Sequence, residues 1–162
     1  FSRVAKPDDL RKLSIPQIER LIYPVGFYRN KARFLKNLPD QLDHLFGGKL
    51  PDSVEELIRL PGVGRKTANL VVAVGFKKPA ICVDVHMHRI FNRLGYIKTK
   101  NPLESEMRLR KKLPRAYWLT INRLFVSFGQ HTCTPLNPHC SSCPILHYCR
   151  REGVITKYEP QP

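Results

Sequence analysis

Four cysteines crowd the C-terminal part of the chain, Cys133, Cys140, Cys143 and Cys149, in the pattern C-x6-C-x2-C-x5-C. The first ten residues lack the apolar core of an export signal, so thiolates this close together read as a metal or cluster site before they read as disulfides. Zinc usually brings two short CxxC-like pairs. Here only Cys140–Cys143 has that spacing, and one short pair with two longer arms suits the separated corners of a cuboidal [4Fe–4S] cluster. Zinc and disulfides remain the alternatives. Cys82 stands apart in Ala80-Ile81-Cys82-Val83 and reads as a buried small hydrophobe.

A second group of residues surrounds a glycine hairpin, Leu60-Pro61-Gly62-Val63-Gly64-Arg65-Lys66-Thr67. Gly62 and Gly64 flank Val63, which permits a tight turn whose N–H groups face outward, and the helix that follows would aim its positive end the same way. This is the form of a helix-hairpin-helix that holds a backbone phosphate; a plain helix connector is the alternative. It is not a nucleotide-binding P-loop, because the spacing and the GK[ST] ending are wrong. Val25-Gly26-Phe27-Tyr28-Arg29-Asn30-Lys31 is a weaker parallel, a Gly26 turn leading to Lys31 at a basic helix start.

Lys66 would sit in the first helical turn, where the helix dipole and Arg65 both disfavour an ammonium. A neutral amine there is a nucleophile, and phosphate contact is the other role open to it. Asp84 is a lone acid among basic neighbours. It either caps a helix or stabilises positive charge developing at a reacting carbon, and local reasoning leaves both open.

The charge pattern fits such groups. The 162 residues carry 28 Lys+Arg and 13 Asp+Glu, a net charge of +15. The stretch 61–151 alone holds 16 basic and 3 acidic residues, and no carboxylate occurs from Met107 to Arg151. A basic excess confined to part of a chain is the footprint of a polyanion. No apolar run approaches the ~20 residues of a membrane span.

Punctuation and apolar spacing predict short helices, the first opening at Pro7-Asp8-Asp9 and the others over 14–23, 30–46, 54–59, 66–75, 84–94, 103–113 and 117–129, with Pro39 interrupting the third. The Val-rich segment Leu70–Val74 would also suit a buried strand, but nothing nearby offers a partner to pair with it. The expected fold class is all-α. The expected division is a helical lobe over 1–94 with its hairpin at 60–64, a second lobe over 95–152 with the cysteine loop 133–149, and a tail, 153–162.

These residues resemble a known family, the endonuclease III-like DNA glycosylases of the helix-hairpin-helix superfamily. The resemblance rests on Leu60 to Asn69, on Gly75, Pro79 and Asp84, on Val83-Asp84-Val85-His86 with Arg89 and Asn92-Arg93, and on the cysteine signature. It implies two all-α lobes and a [4Fe–4S] cluster ligated by Cys133, Cys140, Cys143 and Cys149. It also implies a Lys66 nucleophile that forms a Schiff base, an essential Asp84 carboxylate, and removal of oxidised pyrimidines with abasic-site cleavage. DNA contacts are expected from Gly62, Val63, Gly64, Arg65, Gly26, Lys31 and His86. The expected partner is double-stranded DNA with damaged bases or abasic sites, met by a monomer inside the cell, in the cytoplasm or nucleoid, or in a nucleus. Family members carry further helices upstream of the segment matched by Phe1. The competing reading is a non-catalytic DNA-binding module that keeps the hairpin and cluster as scaffold.

Overall fold

In the computed structural model, residues 4–154 are described, and among them the chain is helical with no strand. It divides into two compact units, Phe1–Ala68 and Asn69–Pro162.

The first unit opens with a 3-10 turn, Pro7–Lys12, followed by α1 (Ile15–Ile22), α2 (Tyr28–Phe46) and α3 (Val54–Leu57). Ser14 and Gln17 form a capping box that starts α1: the Gln17 N–H donates to Ser14 Oγ at 3.4 Å, and the Ser14 N–H to Gln17 Oε1 at 2.8 Å. Gly47, at φ 59°, closes α2 in the left-handed conformation that glycine adopts without penalty. Leu10, Ile18 and Ala32 form the buried core. Lys36 ties the opening turn to α2 by donating to the Arg11 and Leu13 carbonyls, each at 2.8 Å.

Two local expectations are corrected here. Pro39 does not interrupt α2; the helix runs through it and the ring is fully buried. The lost backbone hydrogen bond is tolerated because the remaining turns on both sides pack their apolar face. The third predicted helix also begins two residues earlier, at Tyr28.

Helix α4 (Arg65–Leu70) crosses the division and passes into a π-helical turn, Val71–Gly75. The Val-rich segment is therefore helical, in the wider register, with Val72 and Ala73 buried. The second unit then carries α5 (Val85–Arg93), α6 (Pro102–Lys112) and α7 (Ile121–His131), followed by a loop with two short 3-10 turns, Cys140–Ser142 and Leu146–Tyr148. Its core joins Ile81, Val83, Met87 and Phe91 to Ile97, Leu109 and Trp118. That shared core is why residues 81–94 associate with the following helices. Of the expected tail, residues 155–162 lie outside the described residues.

Candidate active site and iron–sulfur loop

The hairpin forms as its residue types require. Ser53 caps α3, its Oγ accepting the Glu56 N–H at 3.3 Å. The Val63 N–H donates back to the Leu60 carbonyl at 3.1 Å, and the Ala68 N–H to the Gly64 carbonyl at 2.9 Å, which leads the chain into α4. The two glycines do different work. Gly62 has φ +80°, and a Cβ there would lie 2.5 Å from the Phe34 ring. Gly64 has an ordinary backbone conformation and open space where a Cβ would stand. Gly62 therefore shapes the turn against Phe34, while Gly64 leaves open space on the outer side of the hairpin. Lys66 is exposed in the first turn of α4, next to Arg65.

The second turn singled out for DNA contact also differs from a plain loop. Gly26 precedes Phe27, which N-caps α2 at φ 57° and is 84% exposed; Lys31 follows one turn later, also exposed. Tyr23 and Tyr28 pack edge to face beside it.

Asp84 is 6% exposed, and its Oδ1 accepts the Met87 N–H at 2.9 Å, so it is the N-cap of α5. His86, on the first turn of that helix, has Nδ1 3.1 Å from Arg89 Nη2. A guanidinium can only donate, so Nδ1 accepts and the ring proton is on Nε2. Gly129 of α7 makes room for this pair: a Cβ there would fall 2.5 Å from His86 Nδ1.

Further along α5, two arginines reach the start of the cysteine loop. Arg89 donates from Nε and Nη2 to the Cys133 carbonyl at 3.1 and 2.7 Å, and from Nη2 to the Gly129 carbonyl at 2.9 Å. Arg93 donates to the Thr134 and Pro135 carbonyls, both at 2.7 Å. Cys133, Cys140, Cys143 and Cys149, each half-buried, line one cavity together with Ile90, Phe128 and other apolar groups.

This arrangement fits a cluster. Burial pushes the Cys140 thiol up, and the neighbouring Cys133, Cys143 and Cys149 push it the same way. Holding all four as thiolates needs the charge of a metal core. Four cysteines lining one cavity match the ligand number of an iron–sulfur cluster.

The structure thus brings the four cysteines together, makes Asp84 a cap, and puts Lys66 at a helix start. Sequence reasoning missed Phe27, Phe34 and the roles of Arg89 and Arg93. The last two stand in the sequence only as part of a motif, because their partners lie some forty residues away.

Residues 1–115 match the model for the HhH-GPD superfamily base excision DNA repair protein, and residues 133–149 match the iron–sulfur binding domain of endonuclease III. The second match starts at Cys133 and ends at Cys149, and the protein's cofactor is a [4Fe–4S] cluster. Endonuclease III of Thermotoga maritima is 48% identical over 156 residues, covering 94% of this chain and 73% of that protein. Two solved structures, a non-covalent endonuclease III–DNA complex and a trapped endonuclease III–DNA covalent intermediate, are 39% and 40% identical. Each superposes with a TM-score of 0.83 over 93% of this chain and 71% of the other. The chain belongs to the HhH-GPD superfamily of base excision DNA repair proteins, with the all-α helix-hairpin-helix fold of its DNA glycosylases.

Proposed function

We propose that this DNA glycosylase removes oxidised pyrimidines from duplex DNA and cleaves the resulting abasic strand, with Lys66 as nucleophile and Asp84 as the essential carboxylate. The observation that carries the reading is Lys66 itself, an amine in the first turn of the helix leaving a glycine hairpin whose outer face is open to phosphate. Support comes from the relative trapped as a covalent intermediate with DNA.

The damaged base is turned out of the stack. Lys66 Nζ attacks C1′ as the C1′–N bond breaks and the base leaves with the bonding electrons. Opening of the sugar ring gives a Schiff base. Loss of a C2′ proton and of the 3′ phosphate then completes β-elimination. Asp84, buried and negative, stabilises the positive charge that develops at C1′. Gly62, Val63, Gly64 and Arg65 take one phosphate, Gly26 and Lys31 another, and His86 donates from Nε2. Phe27 offers an exposed ring for stacking on a base. Cys133, Cys140, Cys143 and Cys149 hold the cluster, which when bound crosslinks the loop. The protein acts as a monomer on DNA inside the cell; among the described residues no helix is long and apolar enough to cross a membrane.

Incubation with an abasic-site duplex and borohydride tests the reading. A covalent adduct is expected, and folded, DNA-binding protein that gives none would overturn it.

A further inference from the structure

We infer that Arg93 is the positioning residue of the cluster loop and also tunes the electron density on one of its sulfurs. It rests on the assignment of the four cysteines as cluster ligands. Arg93 is the last residue of α5, where carbonyls lack intrahelical partners. Its own carbonyl accepts the Glu152 N–H at 3.1 Å and lies 3.4 Å from Cys149 Sγ. Its guanidinium spreads over two successive carbonyls, Thr134 and Pro135, and Nη1 lies 3.4 Å from Cys133 Sγ. One residue therefore holds both ends of the segment 133–152.

The planar fork explains why the residue is arginine. Two donors fixed side by side meet two adjacent carbonyls at once, which a lysine ammonium on a flexible stem does not reproduce. Between its ends the loop has only the two short 3-10 turns, so its anchors carry much of its order. Arg89 donates to the Cys133 carbonyl and also interacts with the Cys133 side chain, so it acts on the first end of the loop. Arg93 has contacts at both ends, with Thr134 and Pro135 at one and with Cys149 and Glu152 at the other.

Once Cys133 and Cys149 are thiolates, the consequences separate. Cys149 can no longer donate to the Arg93 carbonyl, whereas Nη1 becomes a charge-assisted donor to the Cys133 sulfur. A donor and a positive charge beside a ligating sulfur favour the more negative, reduced state of a cluster, and such bonds are a recognised lever on its potential. Arg93 thus raises the reduction potential while it closes the loop.

The test compares the whole iron-loaded protein with Arg93→Leu and Arg93→Lys. The measurements are iron per chain, decay of visible absorption under an iron chelator, reduction potential by film voltammetry, and helical circular dichroism. In Arg93→Leu the potential should move negative and chelator-driven cluster loss should be about tenfold faster or more, the scale of a lost partner around a metal site. Arg93→Lys keeps the cation without the fork, so its potential should stay nearer wild type while its cluster is still lost faster. Arg93→Leu with wild-type potential and wild-type loss rate overturns the inference. If Arg93→Leu fails to fold, wild-type cluster loss in Arg93→Lys overturns it, and faster loss supports it. Wild-type protein prepared anaerobically without iron would instead defeat the ligand assignment on which it stands.

Discussion

Asp84 Oδ1 accepts the Met87 N–H at 2.9 Å, so the carboxylate assigned to chemistry is also the cap of α5. The two roles can be separated. Asn caps a helix about as well as Asp, whereas Ala costs roughly 1 kcal/mol. Asp84→Asn should therefore melt close to wild type, and Asp84→Ala lower. Both should lose abasic cleavage by on the order of a hundredfold or more, because each removes the negative charge. Near-normal turnover in Asp84→Asn would reduce the residue to its cap.

Lys66 carries the covalent step in the proposed mechanism, and its side chain is exposed in the first turn of α4. Lys66→Gln should abolish the borohydride adduct and strand cleavage. DNA affinity should change little, since one lost cation is a small part of a distributed electrostatic total, about 0.9 in the slope of log K against log salt. Single-turnover cleavage and binding at two salt concentrations check both halves. Retained adduct formation would transfer the nucleophile to another amine.

The hairpin glycines should respond differently to substitution. Gly62→Ala places a Cβ 2.5 Å from the Phe34 ring at φ +80°, so it should destabilise the first unit by about 1–2 kcal/mol. Gly64→Ala meets open space and an ordinary backbone, so its stability should hold while DNA binding falls through crowding of the phosphate. Thermal melting and duplex titration separate the two. Equal melting losses would erase the distinction.

The parts of this site that could be read from the sequence are those whose chemistry is local. The cysteine spacing, the glycine hairpin and the Asp84 cap each fall within a few consecutive residues, and local geometry dictates what they can do. Arg93 was not legible in the same way, because its partners Thr134 and Pro135 are reached only when α5 and the loop fold together. Pro39 misled because a proline's missing N–H predicts a break, whereas burial of its ring within α2 overrides that local preference. The π-helical turn at Val71–Gly75 has no periodicity of its own in five residues, so the choice there lay only between helix and strand.

Phe27 joins a cost in stability to a role on DNA. It is a bulky residue at φ 57°, a conformation disfavoured by roughly 1–2 kcal/mol for a residue with a Cβ, and the residue is 84% exposed, so little burial offsets the strain. It stands between Gly26 and Lys31 on the turn assigned to phosphate contact. A strained, exposed aromatic at such a place fits a ring that stacks on bases, where each stacked base is worth about 1–3 kcal/mol. Phe27→Gly should accordingly raise the melting temperature while weakening affinity for an abasic duplex by roughly 5- to 150-fold, the range those stacking energies span. Phe27→Trp should retain binding, because a larger ring keeps the stacking face. Melting curves and fluorescence titration on the same preparations decide the matter. Unchanged affinity in Phe27→Gly would leave the exposed ring without a part in DNA recognition.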